Sequence, residues 1–553
     1  MSANPIERTP SAYSYPLLIR QLLDNPLRQF PDQEIVYGDY QRRTYREMGD
    51  RIGRLASGLA GLGIKPGDTV AVMDWDSHRY LECFFAVPML GAVLHTINIR
   101  LSPEQILYTI NHAEDDVILV NTDFLPILEA IRDRIEPVKK LVLLNDTGQI
   151  PATTLDISIE YEALLAASDP DYRFPDFSED TRATTFYTTG TTGLPKGVYF
   201  SHRQLVLHTL ALRATVSGSG QGRFNRDDVY LPITPMFHVH AWGVPYVATT
   251  LGVKQVYPGR YVPEHLLQLI ERERVTFSHC VPTILQMLLS SPKVDEVDLS
   301  RWKVVIGGSA LPPTLAQQAL DRGIDVFGAY GLSETCPILT LAQLKPHILD
   351  WEPERQLNVR CKAGLPIPMV ELRIVDEEMN DLPHDGKTTG EVVVRAPWLT
   401  QGYLRDPQSS ETLWRGGYLH TGDIGFIDPE GYLKVTDRLK DVIKTGGEWI
   451  SSLELEDLIL KHPAVAEAAV VGIPDPKWGE RPLALVVAKP GQAGSVDENA
   501  VRAWLQNFAD QGIISKWGIP DRVLLVESIP KTSVGKLDKK VMRARYARDS
   551  EVG

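Results

Sequence analysis

The chain has 553 residues, of which 43% are hydrophobic and 23% charged, and 57 basic against 71 acidic side chains leave a formal charge of −14. This length exceeds a single hydrophobic core, so at least two domains are expected, and the acidic balance argues against general nucleic-acid binding. No apolar run is long enough to cross a bilayer, and the polar N-terminus lacks a signal-peptide core. The four cysteines are too widely spaced for a metal motif, which indicates a reducing, cytoplasmic location.

The first 180 residues predict alternating helices and strands. Helical spacing of apolar residues covers 45–62 and 81–90, whereas short apolar runs at 69–73, 116–120 and 140–144 predict buried strands. Strands separated by helices imply a parallel sheet and an α/β fold.

The segment 187–197 contains four Thr, three Gly and one Lys. A strand is predicted before it at 183–187, and Ser201 with Gln204 forms a capping-box signature for the helix after it. A loop between strand and helix that is rich in backbone N–H groups, hydroxyls and one cation suits a polyphosphate, although a polar Gly-rich turn has the same composition. The Walker A spacing is absent.

The next informative segment is 235–243, where two histidines and a tryptophan lie among apolar residues. His238 and His240 could bind a metal ion, but no third ligand is near in sequence. A packed core segment is the alternative explanation for these aromatic residues.

Two later segments combine a strand with glycine. The run 304–306 leads into Gly307 and Gly308, where a flat ring could approach the backbone closely. After a second strand, Tyr330 offers a ring for a purine, and Thr335 offers a hydroxyl. Glu334 is an oxygen ligand suited to Mg²⁺, or else a solvated loop glutamate.

The remainder of the chain predicts a small α+β unit. Asp423 precedes a type I turn at 428–431 and could accept both hydroxyls of a ribose, or else stabilise a turn. Ser451 with Glu454 predicts one helix start and Ser495 with Glu498 another, and strands are predicted at 468–473, 483–488 and 522–526. Taken alone, the charged segment 436–450 is typical of a linker. The lysine of the Gly-Lys loop at 530–539, taken alone, is typical of a surface lysine.

Taken together, these segments resemble the adenylate-forming superfamily of acyl-CoA synthetases, aryl-CoA ligases, luciferases and peptide-synthetase adenylation domains. The motifs occur in the expected order along most of the chain. The Phe-His-x-x-Ala-Trp match at 237–242 and the segment 91–101 most resemble bacterial medium- and long-chain fatty acyl-CoA synthetases. A scaffold role is the alternative for 91–101.

The resemblance implies a fold, a reaction and a set of site residues. It implies a large N-terminal domain of layered sheets and helices at 1–437, a hinge at 438–441 centred on Lys440, and a small mobile C-terminal domain at 442–553. The reaction joins a carboxylate to ATP, releases pyrophosphate, and then transfers the acyl group from AMP to coenzyme A. The implied catalytic residues are Lys536, Glu334, Thr189 and His238, and Mg²⁺ would bind Thr189 and Glu334. ATP would contact Thr188, Thr189, Gly190, Thr191, Thr192, Gly193, Lys196, Gly308, Ser309, Ala310, Tyr330, Gly331, Glu334, Thr335, Asp423 and Arg438. CoA would contact Lys444, Gly446, Gly447 and Trp478, and the acid would contact His238, Val239, Trp242, Gly307 and Gly331, with Trp242 as the gate of a fatty-acyl tunnel.

Alternatives remain at this point. An aryl- or short-chain CoA ligase fits the same motifs, as does an enzyme that loads a carrier protein, although no carrier domain is attached. Luciferase chemistry and a non-catalytic binding protein are more remote. The expected partners are the small-molecule substrates, with no nucleic acid and no transmembrane segment, and related bacterial enzymes suggest a homodimer.

Overall fold

The computed structural model describes residues 4–148, 150–188, 194–445, 448–511, 513–531 and 537–546, and the structural statements below concern these residues. The strands in chain order are β1 (Glu34–Tyr37), β2 (Gln41–Thr44), β3 (Thr69–Met73), β4 (Val93–Thr96), β5 (Asp115–Asn121), β6 (Lys140–Leu144), β7 (Ile159–Glu160), β8 (Arg182–Tyr187), β9 (Gly197–Ser201), β10 (Val229–Pro232), β11 (Lys254–Tyr257), β12 (Phe277–Cys280), β13 (Lys303–Ile306), β14 (Asp325–Gly331), β15 (Ile338–Leu341), β16 (Leu365–Pro366), β17 (Glu371–Val375), β18 (Gly390–Arg395), β19 (Leu419–Ile427), β20 (Leu433–Arg438), β21 (Ile443–Thr445), β22 (Glu448–Ile450), β23 (Val465–Asp475), β24 (Gly479–Ala488) and β25 (Arg522–Leu525).

Helices cover the faces of the sheets that these strands form. In chain order they are α1 (Gln21–Gln29), α2 (Tyr45–Gly61), α3 (His78–Met89), α4 (Pro103–Ala113), α5 (Leu125–Ile131), α6 (Tyr161–Ala166), α7 (His202–Gly218), α8 (Val239–Trp242), α9 (Val244–Leu251), α10 (Pro263–Glu273), α11 (Pro282–Leu289), α12 (Pro313–Leu320), α13 (Pro353–Arg360), α14 (Pro407–Leu413), α15 (Ser452–Leu460), α16 (Glu498–Asp510) and α17 (Lys539–Tyr546). Of these, α8 is a single left-handed turn, described with the site.

Two large sheets form the first part of the chain. One has the strand order β7-β6-β5-β3-β4-β8-β9, and the other has the order β16-β15-β14-β13-β12-β10-β11-β1-β2. Their central strands are parallel, as predicted. The edge strands β2, β9 and β16 are antiparallel to their neighbours, whereas the edge strand β7 is parallel to β6. Side chains from both sheets and the helices between them share one continuous apolar core. The parallel strands therefore aim their carboxyl ends at common edges, where ligands bind in open α/β sheets.

Two smaller sheets follow. Strands β17 to β20 form an antiparallel sheet, and β21 to β25 form a separate sheet with the order β22-β21-β24-β23 and β25 beside β24. The last sheet has its own apolar clusters, one beneath α15 and α16 and the other beneath α17. The predicted fold class, a large α/β N-terminal domain followed by a smaller α+β domain, is confirmed.

The helix starts follow local capping chemistry. Ser201 and Gln204 form the predicted reciprocal capping box at the start of α7. The prediction that a helix starts at Ser495 is wrong. Helix α16 starts at Glu498, and its N-cap is Asp497, which accepts a hydrogen bond from the backbone N–H of Ala500. Val496 is extended and separates the two residues, so Ser495 cannot cap this helix.

The segment after β8 also differs from the prediction. It connects two antiparallel strands, β8 and β9, in which Tyr187 pairs with Gly197. The expected strand-to-helix loop is therefore a hairpin loop, and α7 starts five residues beyond Gly197. Any phosphate binding here depends on loop N–H groups and Lys196 and not on a helix N-terminus. Within the described ranges, every helix is too short or too polar to span a membrane.

Candidate active site

Three of the predicted site segments begin where neighbouring parallel strands end. The 235–243 segment follows β10, residues 307–310 follow β13, and Tyr330 and Gly331 close β14. Pairing of β10 with β12, β12 with β13, and β13 with β14 places these ends at one edge. Gly308, Ser309 and Ala310 are exposed there, which leaves a backbone surface open beside Tyr330.

A carboxylate, a phenol and a guanidinium meet beside this edge. The hydroxyl of Tyr330 donates a 2.7 Å hydrogen bond to Asp423, and the Nε of Arg438 lies 3.2 Å from the other carboxylate oxygen. Burial, and then the negative charge of Asp423, raise the pKa of the Tyr330 phenol. The pKa of Arg438 is raised, first by Asp423 and further by Tyr330, Asp441 and Glu334. Asp423 and Glu334 thus both act on Arg438.

The predicted phosphate loop is closed at its base. Thr188 donates its backbone N–H to the carbonyl of Lys196 at 3.0 Å, and the N–H of Lys196 returns a 3.3 Å bond to the Thr188 hydroxyl. The loop residues Thr189, Gly190, Thr191, Thr192 and Gly193 lie outside the described ranges. The ammonium of Lys196 is 2.8 Å from the Ser409 hydroxyl.

Tyr403 joins this loop to Glu334 and was missed by the sequence reasoning. Its hydroxyl donates a 2.7 Å bond to Glu334 Oε1, and the ammonium of Lys196 lies 4.5 Å from the centre of its ring. The backbone N–H of Leu404 also bonds the carbonyl of Gly197 at 2.8 Å, which fixes this segment against β9. A single Tyr between Gly and Leu carries no periodic signal, so only the sequence Gly402-Tyr403 could have drawn attention to it.

Other atoms approach two glycines closely. A Cβ at Gly331 would stand 1.8 Å from the carbonyl oxygen of Pro337, which no side chain tolerates. A Cβ at Gly307 would stand 3.0 Å from the Cη2 atom of Trp242. The indole of Trp242 therefore lies directly against the backbone of the predicted adenine and carboxylate border.

Trp242 ends a strained segment. Val239, His240, Ala241 and Trp242 all have positive φ, between 46° and 59°, and form the left-handed turn α8. Left-handed helical geometry costs roughly 1–2 kcal/mol per non-glycine residue. Two residues on other elements secure the approach to this turn. Asp76 accepts a 2.8 Å bond from the N–H of Met236, and the hydroxyl of Thr96 donates a 3.0 Å bond to the carbonyl of Phe237.

The turn separates two histidines. His238 is half-buried, whereas His240 is fully buried among the rings of Phe84, Phe186 and Tyr246. Burial lowers the pKa of His240 to about 3, so it is neutral at physiological pH. No cluster of three or more His, Cys, Asp or Glu side chains suited to a metal ion occurs among the described residues.

An apolar cavity lies behind Trp242. It is very narrow, with room of about 10 Å³ for the centre of a water-sized sphere. Its walls come from α7, α9 and the strands β12, β13 and β15, and the lining residues are Leu212, Val216, Phe224, Trp242, Val244, Val247, Phe277, His279, Val305, Ile338 and Leu341. Trp242 is only 3% exposed and stands between this cavity and Gly307.

The other predicted site residues are placed less directly. Thr335 is fully buried, and its hydroxyl bonds the backbone of Leu332 and Pro337, so its contact with a nucleotide stays a prediction. Lys440 is exposed on the segment between the last two sheets, and Lys444 is exposed on β21 of the last sheet. The Trp478 ring lies 4.4 Å from the ring of Trp517. Gly446, Gly447 and Lys536 lie outside the described ranges, and their roles also stay predictions.

Comparisons with known proteins show which family the chain belongs to. The AMP-binding enzyme family matches residues 23–404, and the C-terminal domain of AMP-binding enzymes matches residues 454–536. A long-chain-fatty-acid–CoA ligase of Thermus thermophilus is 43% identical, over 92% of this chain and 91% of that protein. A 3-methylmercaptopropionyl-CoA ligase of Ruegeria pomeroyi is 40% identical, over 96% and 97% of the two chains.

A solved structure extends the likeness to three dimensions. The ATP-bound MatB of Rhodopseudomonas palustris superposes with a TM-score of 0.81 at 26% identity, covering 96% of this chain and 99% of that one. The family models cover most of the chain, and the relatives match it nearly end to end. The chain belongs to the family of AMP-binding enzymes.

Proposed function

We propose that this protein is an ATP-dependent fatty acid–CoA ligase that acts on a medium- to long-chain acid. The observation that carries the proposal is the position of Trp242, whose ring lies against Gly307 and also lines the narrow apolar cavity. A carboxylate held near Gly307 and Gly331 would direct its alkyl chain past this ring. The space behind the ring has a volume of only about 10 Å³, so Trp242 and the side chains around the cavity would have to move to admit the chain. The name and identity of the Thermus thermophilus relative support the same substrate class.

The nucleotide would occupy the edge on the other side of Trp242. Tyr330 would offer its ring to the adenine, and the Asp423 carboxylate would accept the ribose hydroxyls. Arg438, which is already paired with Asp423, would contact the ribose or a phosphate. Lys196 would balance the charge of the polyphosphate beside the loop 189–193.

The first step is attack of the acid's carboxylate on the α-phosphorus of ATP, with pyrophosphate as the leaving group. Like charges approach each other in this step, so positioning and charge neutralisation dominate its catalysis. Glu334 and Thr189 are the residues that would hold Mg²⁺, and the carboxylate of Glu334 fits because Mg²⁺ prefers oxygen ligands. When bound, the ion would neutralise phosphate charge. Lys536 would add its positive charge from the small domain.

The second step is attack of the CoA thiol on the acyl carbonyl, with AMP leaving. We place the domain boundary at 438–441, between β20 of one sheet and β21 of the next. Rotation about Lys440 would remove Lys536 and bring the segment containing Lys444, Gly446 and Gly447 to the acyl-adenylate. Trp478 would contact the CoA nucleotide.

A shorter acid is the second candidate. The relative from Ruegeria pomeroyi is named for 3-methylmercaptopropionate and is nearly as similar as the long-chain ligase. The cavity is narrow, and the ring of Trp242 is almost fully buried against it, so a short acid would bind without entering the cavity.

ATP–pyrophosphate exchange dependent on the acid tests the proposal. A panel would include butyrate, 3-methylmercaptopropionate, benzoate, octanoate, dodecanoate and hexadecanoate, followed by CoA consumption with the same acids. The expected result is exchange and CoA consumption that are highest with the fatty acids from octanoate upward. Exchange confined to benzoate or to the short acids would overturn the substrate assignment, and exchange without CoA consumption would favour an enzyme that loads another acceptor.

A further inference from the structure

A continuous hydrogen-bonded network crosses the proposed hinge. Asp437, on β20 before the hinge, accepts bonds from the backbone N–H of Ser452 and from its hydroxyl at 2.6 Å. Lys539, on the last helix α17, donates to the same hydroxyl at 2.6 Å and lies 2.7 Å from the carboxylate of Glu456 on α15. We call Asp437, Ser452, Glu456 and Lys539 the hinge latch.

All four members of the hinge latch are buried. Their exposed fractions are 1% for Asp437, 0% for Ser452, 5% for Glu456 and 8% for Lys539. Two carboxyl groups therefore share a single ammonium in a place closed to water. Burying an uncompensated charge is costly, so such a set favours one bound proton.

The groups that face Glu456 are few. Lys539 faces it from α17, Asp437 from β20, and the backbone N–H of Val470 on β23 donates to it at 2.8 Å. Burial raises the pKa of Glu456 to about 7; Asp437 raises it as well, while Lys539 opposes the shift. Burial likewise raises the pKa of Asp437, against the effects of Lys539 and Ser452.

We propose that the hinge latch holds the small domain in the orientation of this structure with one shared proton, and that loss of this proton favours its release for rotation. The proposal rests on the two-step function above for its purpose, since only a rotating domain needs a latch. If the small domain turns about 438–441, Asp437 stays with β20, whereas Ser452, Glu456 and Lys539 move with the small domain. The rotation therefore separates the carboxyl group of Asp437 from Glu456 and Lys539.

The proton balance gives the direction of the effect. In the latched orientation the two carboxyls and Lys539 bind one proton and are neutral overall. In the released orientation, Glu456 and Lys539 form a neutral pair, and Asp437 is free to ionise in water. The latched orientation therefore binds more protons, so it is favoured below pH 7 and weakened as the pH rises through about 7.

A neighbouring acidic residue adds a second pH-dependent step, at a lower pH. Asp457, on the same helix, faces Lys434 of β20 and Lys461, and burial raises its pKa to about 6. Glu454 faces the same two lysines, and burial raises its pKa too. These groups also lie between the two domains, and their titration must be separated from that of Glu456 by single variants.

Distances between spin labels on the two domains test the latch directly. One label would replace the exposed Asp133 and the other the exposed Asn507, in a Cys361→Ser background, since the other cysteines are buried. For a single proton with a pKa of about 7 in the latched state only, the ratio of latched to released molecules should fall about tenfold from pH 6 to pH 8. The isosteric variants Glu456→Gln and Asp437→Asn should each abolish the step near pH 7, and Asp457→Asn should affect only the step near pH 6.

Asp521→Asn is the matched control. Asp521 pairs with Arg481 at 2.6 Å inside the small domain and does not cross the hinge, so this variant should keep the wild-type pH response. A wild-type distance distribution that does not change from pH 5.5 to pH 8.5, or a step near pH 7 that survives in both latch variants, would overturn the proposal. Because the distances are measured without substrates, this result is separate from the outcome of the exchange assay. If one latch variant does not fold, as judged by circular dichroism, the other decides.

Discussion

The hydroxyl of Tyr403 donates a 2.7 Å hydrogen bond to the carboxylate of Glu334, and the same ring lies 4.5 Å from the ammonium of Lys196. One side chain thus connects the predicted metal ligand to the cation of the phosphate loop. Tyr403 is 69 residues from Glu334 and 207 residues from Lys196 in the sequence. Tyr403 is therefore expected to fix the geometry of both groups.

Removal of the Tyr403 hydroxyl should weaken the use of ATP. Tyr403→Phe keeps the ring beside Lys196 but loses the bond to the Glu334 carboxylate. A hydrogen bond to a charged group contributes about 1.5–3 kcal/mol, so kcat/KM for MgATP in pyrophosphate exchange should fall by about 10- to 150-fold. Tyr418→Phe is the control, since it removes a similar bond to Glu371 outside the predicted site. Equal losses in the two variants would contradict this role.

Gly331 should not tolerate a methyl group. The Cβ of Gly331→Ala would stand 1.8 Å from the carbonyl of Pro337, so the backbone beside Tyr330 must move. The free energy of unfolding in urea should fall by about 3 kcal/mol, with loss of exchange activity. Gly218→Ala has no atom within 4 Å of its new methyl and lies at the end of α7, so it should be neutral or slightly stabilising. An unchanged Gly331→Ala enzyme would show that the close approach does not exist in solution.

Truncation of Trp242 should change the preference for chain length. In Trp242→Ala the barrier between Gly307 and the apolar cavity is removed, and longer acids should gain relative to octanoate in kcat/KM. The variant should also lose about 3–5 kcal/mol of stability, because a large buried side chain is deleted. Trp302→Ala, in a separate apolar cluster, controls for the stability loss and should leave the preference unchanged. The same preference in both variants would place the alkyl chain elsewhere.

Acid should unfold the protein in part through His240. Its pKa is about 3 in the folded protein and about 6.5 when unfolded, so the unfolded state binds more protons between these values. Stability is therefore retained above pH 6.5 and falls as the pH drops toward 3. Each such histidine contributes up to about 1.4 kcal/mol per pH unit. In urea titrations from pH 7 to pH 4, His240→Leu should reduce this slope, whereas His384→Leu, at an exposed position, should not.

Lys536 should act in only one half-reaction. Lys536→Ala removes a charge expected beside ATP during adenylation, so fatty-acid-dependent pyrophosphate exchange should be nearly abolished. Thioester formation from supplied acyl-AMP and CoA should be largely preserved, because the proposed domain rotation would remove this lysine before that step. The exposed Lys540 provides the control variant Lys540→Ala. Loss of both half-reactions to the same degree would refute this division.

The sequence alone predicted those features that depend on residues close together in the chain. Ser201 and Gln204 are three residues apart and formed the predicted capping box, and the apolar runs formed the predicted parallel strands. The order of the motifs was also enough to identify the superfamily, which the family models confirm. At Ser495 the residue spacing predicted the wrong helix start, because Val496 is extended and Asp497 is the N-cap of the helix.

Tertiary structure decided the relations between distant residues. The loop after Tyr187 is a hairpin because Gly197 pairs back onto β8, which no local propensity requires. Tyr403 reaches Glu334, and Lys539 shares the buried charge of Asp437 and Glu456, only because separate sheets and helices pack together. The sequence by itself thus determined the family, the fold class and the chemical types at the site. Only the packed chain decided which of those groups touch, since hydrogen bonds and burial depend on distances in space.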